Sequence, residues 1–125
     1  MRIGPLKLKA QLFCGEEAAI GPGKADLLEA IDREGSISAA GRALGMSYRR
    51  TWLLVDSMNR CWAERLVETI PGGGTVRGAR LTDHGRAILA AYRTLETRLA
   101  ATAEDALAPL TATLREMPRP PATKG

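Results

Sequence analysis

The stretch "SISAAGRALGMSYRRTW" (residues 36–52) decides the fold of this chain. Its first half consists mainly of small residues, and its second half places two arginines beside two aromatic residues. Ser36 or Ser38 can cap one helix and Ser47 the next, because a serine hydroxyl accepts a hydrogen bond from a free amide of the first helical turn. The stretch therefore predicts two helices separated by a stop at Gly45.

The small residues predict how closely these two helices cross. Alanine and glycine side chains let helix backbones approach, whereas large side chains would hold them apart. We expect Gly41 to lie at this crossing and four residues to form the inner side of the first helix: Ala39, Ala40, Ala43 and Leu44. Such a pair is either a DNA-binding helix-turn-helix or an ordinary helical hairpin, and spacing alone does not separate the two.

The second helix, predicted over residues 47–63, divides into two faces when it is wound at about 100° per residue. One face carries Thr51, Leu54, Val55, Met58 and Trp62, and the other carries Arg49, Leu53, Asp56, Ser57 and Arg60. A recognition helix needs this division, with an apolar face on the domain and polar side chains facing the major groove.

The side chains near the start of the second helix suggest more than one role. Arg49 and Arg50 can donate paired hydrogen bonds to guanine or hold a phosphate, or they can remain solvated charges on a helix. Tyr48 and Trp52 lie at the border between the two faces. For Trp52 we expect packing to dominate, because large aromatic side chains are usually mostly buried.

Two elements are predicted before this pair. "LKLKAQLF" (residues 6–13) alternates apolar and polar residues, which is typical of a strand with one covered face. "GEEAAIGPG" (residues 15–23) reads as a loop, and a helix follows over residues 23–34 with Gly35 as its C-terminal cap.

A β-hairpin is predicted after the pair. "RLVETI" (residues 65–70) and "TVRGARL" (residues 75–81) read as two strands joined by the turn "PGGG". This hairpin has the position of a wing, where Arg77 and Arg80 would meet the DNA backbone or minor groove. Residues 42–93 carry nine basic residues against four acidic ones, a balance of +5, whereas the whole chain carries +4.

The last predicted element is a long helix that begins at the cap Thr82. It should end or bend near Ala108, because Pro109 lacks the amide that a helix interior needs, with one more turn around Leu110 to Leu114. Ile88, Tyr92, Leu95 and Leu99 recur at alternating steps of four and three, a seam that would pair with a second copy. We assign residues 1–116 to one domain, with its dimerisation helix at about 83–108, and residues 117–125 to a disordered tail.

Composition excludes several other classes of protein. At 125 residues the chain holds one domain, and its two cysteines have neither metal-binding nor disulfide-framework spacing. The chain opens without a signal-peptide pattern, and no apolar run approaches the length of a membrane span, so we expect a soluble cytoplasmic protein.

No enzyme site is recognisable in the sequence. "GPGK" (residues 21–24) resembles a phosphate loop, but Ala18 and Ala25 replace the required glycine and hydroxyl residues. His84, the single histidine, has no nucleophile in a recognisable motif nearby. We therefore expect no catalytic residues, no cofactor and no metal site.

Three segments together resemble the N-terminal DNA-binding domain of the ModE family of molybdate-responsive transcriptional regulators. They are "LKLKAQLF", "GSISAAGRALGMSYRRTWLLVDSMN" and "LVETIPGGGTVRGARLT", and the resemblance spans about Leu6 to Leu99. The LysR-type helix-turn-helix is a more distant likeness that shares only the Gly-Ser and alanine pattern.

The resemblance implies a mostly α-helical α+β fold, a winged helix-turn-helix with an N-terminal strand, a β-hairpin wing and a long C-terminal dimerisation helix. It implies a homodimer that binds double-stranded DNA at a palindromic operator near genes of molybdenum uptake or use. The DNA-facing motif would comprise Ser36, Ser38, Ser47, Tyr48, Arg49, Arg50 and Trp52, with Thr75 and Arg77 on the wing. Arg60 and Arg80 complete the set of candidate DNA contacts.

The sequence departs from the family in two ways. "TVR" (residues 75–77) occupies a wing stretch that is usually glycine, so the wing should be stiffer and more basic. Full-length members continue into molybdate-binding domains, and this sequence ends before such a domain, so we expect no direct molybdate binding. A winged-helix module whose partner is another protein is the alternative function.

Overall fold

The computed structural model describes residues 1–71 and 78–122 as an α+β fold of short antiparallel hairpins and helices. The first strands are β1 (Arg2–Ile3), β2 (Leu6–Lys7), β3 (Leu12–Cys14) and β4 (Glu17–Ile20). Three helices follow, α1 (Pro22–Glu34), α2 (Ile37–Ala43) and α3 (Tyr48–Cys61). The chain continues through β5 (Val67–Ile70), β6 (Gly78–Leu81) and α4 (Asp83–Thr111).

The N-terminal region differs from the prediction of one strand followed by a loop. Residues 6–13 do not form a single strand: β2 pairs with β1, and β3 pairs with β4. The predicted loop contains β4, because a two-residue turn at Gly15 and Glu16 folds the chain back onto β3, with Gly15 in the left-handed region at φ 61°. Backbone pairing across this turn thus outweighs the loop-like composition of the segment.

The helix boundaries follow the predicted caps closely. Gly35 ends α1 in the left-handed conformation, at φ 74°, and its amide donates to the carbonyl of Ile31. The Ser36 hydroxyl accepts from the Ala39 amide at 3.0 Å, and the Ser47 hydroxyl accepts from the Arg50 amide at 3.1 Å. The predicted turn at Gly45 is confirmed, with φ 70°.

The crossing of α2 and α3 rests on a glycine, as predicted. A Cβ atom added at Gly41 would overlap the Thr51 hydroxyl and lie 3.0 Å from the Thr51 Cβ. The predicted inner side of α2 is wrong in part, because Ala43 and Leu44 are exposed while Ile37 is buried. A helix of seven residues can bury only a few side chains against its neighbours. The close crossing at Gly41 determines which side chains these are.

The core is centred on α1, which contributes Ala25, Leu27, Leu28, Ala30 and Ile31. It is completed by buried apolar residues of β4, α2, α3, the β5–β6 hairpin with the preceding Leu66, and α4: Ile20, Ile37, Ala40, Val55, Met58, Leu66, Val67, Ala79, Leu81 and Tyr92. Burial of this apolar surface supplies the main driving force for folding. Within the described ranges, no helix combines the length and apolar character required to cross a membrane.

The predicted β-hairpin is present, with β5 and β6 paired from Val67 and Leu81 to Ile70 and Gly78. It attaches to α1 through the Ala79 amide, which donates to the Gly35 carbonyl at 2.9 Å. The Asn59 side chain connects it to α3: its carbonyl oxygen accepts from the amides of Leu66 and Val67, and its amide donates to the Val67 carbonyl. Each strand of the hairpin is therefore attached to a helix, β6 to the end of α1 and β5 to α3.

Helix α4 begins at the predicted cap, where the Thr82 hydroxyl accepts from the Gly85 amide at 2.9 Å. Of the two outcomes predicted near Ala108, an end of the helix is wrong, because the helix runs through Pro109 to Thr111. Pro109 removes only the hydrogen bond to the carbonyl of Asp105, an exposed residue whose carbonyl water can hydrate. Residues 114–122 form neither helix nor strand.

Candidate nucleic-acid interface

The first turns of α3 present a basic and aromatic surface to solvent. Tyr48, Arg49 and Arg50 are exposed. No ion pair to Arg49 or Arg50 is formed by any side chain in residues 1–71 and 78–122. Their guanidinium groups are thus available to an anionic partner, and the Ser47 cap holds the helix start from which they project.

The opposite face of α3 packs against the rest of the domain, as its sequence predicts. Thr51, Val55 and Met58 are buried, and Leu54 and Trp62 are half-buried. The Trp62 indole also donates to the carbonyl of Ala19 at 3.2 Å, which ties the end of α3 to β4. The predicted division of the helix into a seated and an outward face is confirmed.

Trp52 departs from the expected packing role. Its surface is 38% exposed, and its ring meets the Tyr48 ring edge-on with centroids 6.1 Å apart. It borders a cavity of about 220 Å³ that α2, α3 and the base of the hairpin enclose together. Trp52 therefore lies at the rim of this cavity rather than in the core.

Arg60, a predicted DNA contact, is engaged by two carboxylates. Its guanidinium group lies 2.9 Å from Asp56 on the same helix and 3.1 Å from Glu17 on β4. The pKa of Glu17 is lowered, first by the hydrogen bond that the Ser57 hydroxyl donates and then by Arg60. Lys24 completes the cluster by donating to the Ser57 hydroxyl and the Ala18 carbonyl.

Arg80, the candidate contact at the base of the hairpin, is also paired with an acid. Its guanidinium group donates to Glu68 at 2.7 Å, directly across β5 and β6. Both residues are exposed enough that solvent weakens the pair. The other wing candidates, Thr75 and Arg77, lie outside the described residues.

The two serines of the α2 segment have different environments. Ser36 uses its hydroxyl as the cap of α2, and Ser38 is half-buried within the helix. The candidate residues that the structure brings together on one exposed surface are therefore Ser47, Tyr48, Arg49, Arg50 and Trp52. We call these five residues the α3 surface.

The predicted dimerisation seam is not continuous. Tyr92 is only 3% exposed, and its hydroxyl donates to the carbonyl of Ala10 at 2.8 Å. Ile88 packs against the same core. Their assignment to a surface seam is corrected, because the first half of α4 lies on its own domain. Leu95 and Leu99 remain exposed, at 38% and 37%.

An ion cluster that the sequence analysis missed joins α4 to α1. Arg93 lies 2.8 Å from Asp26, 2.6 Å from Glu29 and 2.7 Å from Glu96. These hydrogen bonds raise the pKa of Arg93 against the opposing effect of burial. The spacing of Arg93 and Glu96 along one helix could have signalled their pair, but only the packing of α4 on α1 brings the other two acids to it.

The fold is an α+β domain in which α2 and the basic helix α3 cross closely, an arrangement that occurs in DNA-binding helix-turn-helix domains and in other helical hairpins. No family model matches the chain. Curated proteins do match it, however, and their names refer to ModE or to molybdenum-pterin binding.

The chain is 49% identical over 70 residues to the molybdenum transport protein ModE of Azotobacter vinelandii, a match covering 56% of this chain and 26% of that protein. It is 41% identical over 80 residues to the molybdenum-pterin-binding protein MopA of Rhodobacter capsulatus, covering 64% and 30%. It is 34% identical over 87 residues to the DNA-binding transcriptional dual regulator ModE of Escherichia coli (strain K12), covering 70% and 31%.

These similarities confirm the resemblance to the ModE family. The chain spans about a third or less of the length of the curated relatives it matches. Within residues 1–71 and 78–122, no group of three or more histidine, cysteine or acidic side chains is placed to hold a metal ion.

Proposed function

We propose that this chain is a DNA-binding transcriptional regulator of the ModE type, a winged helix-turn-helix that reads a palindromic operator as a homodimer. The observation that carries the proposal is the α3 surface, where Arg49 and Arg50 extend from a capped helix start. The name of the Escherichia coli relative, a DNA-binding transcriptional dual regulator, supports the same function.

The contrast among the arginines supports a specific docking mode. Arg60, Arg80 and Arg93 are engaged by carboxylates of the same chain, whereas Arg49 and Arg50 meet no acid among the described residues. A paired arginine must give up its acid before it can hold a phosphate. Of the candidate contacts among the described residues, the two arginines of the first turn of α3 are therefore the preferred ones. In this arrangement α3 enters the major groove with its N-terminal end foremost.

The hairpin formed by β5 and β6 supplies the proposed wing. It is anchored to the end of α1 by Ala79 and to α3 by Asn59, so contacts of both strands define its position relative to the α3 surface. Thr75 and Arg77 would contact the sugar-phosphate backbone from the far end of this hairpin.

A DNA-binding titration tests the proposal. Labelled duplex from upstream of the chain's own gene cluster should bind more tightly than a shuffled duplex of the same composition. Arg50→Ala should weaken binding to both duplexes, whereas Arg115→Ala, which removes an exposed arginine beyond α4, should leave binding unchanged. Equal binding of the two duplexes by the unmodified chain would contradict a sequence-specific regulator.

The proposed dimer uses the second half of α4. Leu95 and Leu99 form an exposed apolar pair there, and two-fold pairing of such a helix would place two α3 helices about one DNA turn, or 34 Å, apart. Leu110 is also exposed on the same helix, so the apolar surface extends toward its end.

We also propose that this domain does not itself bind molybdate. An enclosed oxyanion site needs several donors that converge on one point. Among the described residues, Arg60, Arg80 and Arg93 instead pair with acids, and Arg49 and Arg50 are exposed at the start of α3. Calorimetric titration with molybdate and with tungstate should give no specific heat, and a stoichiometric micromolar site would contradict this part of the proposal.

A protein-interaction module is the second candidate function. The observation that favours it is the exposure of Tyr48 and Leu53 on α3, at 66% and 57%, since apolar side chains of this size also serve as protein contacts. The salt dependence of binding separates the two functions. The logarithm of the DNA affinity should fall steeply and linearly with the logarithm of the salt concentration, because phosphate contacts release counterions, whereas docking of a protein need not show this dependence.

A further inference from the structure

The two cysteines of the chain are brought to one carboxylate by the fold. Cys14 ends β3 and is the direct pairing partner of Glu17 on β4. Side chains of directly opposed residues in an antiparallel pair lie on the same face with Cβ atoms about 5 Å apart. The Sγ of Cys61, at the end of α3, lies 3.9 Å from the Glu17 Oε2 atom. The two thiols therefore share the Glu17 side chain as a neighbour, although 46 residues separate them in sequence.

The environment of Cys61 agrees with this placement. Burial raises the pKa of the Cys61 thiol most, and the influence of the Cys14 thiol raises it further. Cys14 is exposed, whereas Cys61 is half-buried. An oxidant in solution thus meets Cys14 first, and Cys61 is the neighbouring thiol that can complete the reaction.

We propose that Cys14 and Cys61 form a disulfide on exposure to a low-molecular-weight disulfide such as oxidised glutathione, which links the β3–β4 hairpin covalently to the end of α3. This pair is a thiol modification site distinct from the α3 surface. Cys61 lies twelve residues beyond Arg49, about 18 Å along the helix at 1.5 Å per residue.

The reaction balances as two successive exchanges. The Cys14 thiolate attacks one sulfur of oxidised glutathione, so that a mixed disulfide forms and one glutathione thiolate leaves. The Cys61 thiolate then attacks the Cys14 sulfur, which forms the Cys14–Cys61 bond and releases the second glutathione. The two protons lost by the cysteines are taken up by the two glutathione thiolates, and the oxidised glutathione is the species reduced.

The test uses the full chain without substitution. The reduced protein is incubated with oxidised glutathione at pH 8, and its free thiols are counted and its tryptic peptides mapped. The expected result is a fall from two free thiols to none and a disulfide-linked pair of peptides, residues 10–24 and 61–65. Since the chain contains only two cysteines, an intramolecular disulfide has one possible connectivity.

The concentration dependence separates an intramolecular bond from a bond between copies. The rate of the second exchange should not change over a tenfold range of protein concentration, and the product should run as a single chain on a non-reducing gel. Crosslinked pairs of chains, or thiols that stop at mixed glutathione disulfides, would overturn the proposal.

Two matched variants and one stability measurement complete the experiment. Cys14→Ser and Cys61→Ser should each take up at most one glutathione and form no internal bond. The oxidised unmodified chain should unfold at least about 5 °C above the reduced chain, because the bond closes a long loop in the unfolded state. A lower midpoint after oxidation would show that the native positions of the two cysteines do not accommodate the bond, which would also overturn the proposal.

Discussion

Gly41 of α2 lies directly against Thr51 of α3, and the Thr51 hydroxyl in turn donates to the Ser47 carbonyl at 2.8 Å. Thr51 is fully buried, and a Cβ atom at Gly41 would overlap its hydroxyl. This contact sets how closely the two helices cross and thereby the direction in which the α3 surface faces.

Substitution of this glycine should therefore be costly. Gly41→Ala should lower the free energy of unfolding by about 1–3 kcal/mol, because the added methyl group forces the two helices apart. Urea denaturation followed by circular dichroism measures the change. Gly23→Ala in α1 is the matched control, since nothing lies within 4 Å of its added Cβ, and it should be neutral or slightly stabilising. Equal effects of the two substitutions would contradict a close crossing at Gly41.

Arg49 is predicted to read a base. Arg49→Ala should reduce the preference for operator over random DNA by about 1–3 kcal/mol at one base pair, because a lost bidentate contact affects one position. Competition binding with singly substituted operators measures this preference. An equal loss of affinity for operator and random DNA would show that Arg49 holds a phosphate instead.

Arg77 on the proposed wing is predicted to hold the backbone. Arg77→Ala should weaken binding to all sequences alike and make the slope of log affinity against log salt shallower by about one, because one phosphate contact is lost. Titrations of operator and random duplexes at several salt concentrations measure both effects. A loss confined to the operator would assign Arg77 to base recognition.

Substitutions of Leu95 and Tyr92 should have different effects on the dimer, although both residues belong to the seam predicted from sequence. Leu95→Asp should dissociate the dimer and weaken operator binding, because it places a charge in the proposed interface. Tyr92→Phe should leave the dimer intact and cost about 0.5–1.5 kcal/mol of stability, because it removes the hydrogen bond to Ala10. Sedimentation at micromolar concentration and denaturation distinguish these results. A monomeric unmodified chain would refute the dimer.

The Glu17 cluster should make stability depend on pH on the acid side. The pKa of Glu17 in the folded chain lies below its ordinary value of 4.5, so the unfolded chain binds more protons between the two values. Its contribution is therefore present above the ordinary pKa and is lost as pH falls through the folded pKa. Glu17→Gln should lower the melting temperature at pH 7, and this difference should shrink below about pH 4.

The matched control for this experiment is Glu16→Gln in the same hairpin turn. Glu16 makes no ion pair or hydrogen bond through its side chain within the described ranges. Its substitution should leave the melting temperature nearly unchanged at every pH. A difference between Glu17→Gln and the unmodified chain that persists undiminished at low pH would assign the effect to packing rather than to charge.

Local chemistry was enough to predict several elements from sequence. The caps at Ser36, Ser47 and Thr82 and the helix stops at Gly35 and Gly45 depend on a few adjacent residues, so they can be read directly. The seated and outward faces of α3 follow from periodicity alone. The ModE resemblance rests on these same local patterns together with the Gly-rich hairpin turn.

Contacts between distant segments escaped prediction. The pairing of β3 with β4, the burial of Tyr92 under Ala10 and the continuation of α4 through Pro109 depend on how the chain packs. The acids that engage Arg60 and Arg93 come from β4 and α1 as well as from their own helices, so helical spacing reveals only part of each cluster.

Sequence by itself thus determined the two crossing helices α2 and α3 and the outward position of Arg49, because caps, glycine stops and helical periodicity act over a few residues. Tertiary structure alone decided which arginines are left without an acid, which part of α4 is exposed, and that Cys14 and Cys61 meet at Glu17. Those outcomes depend on charges and surfaces that approach through space. The order of these residues along the chain does not show which of them become neighbours, because the neighbours are set only when the segments pack around α1.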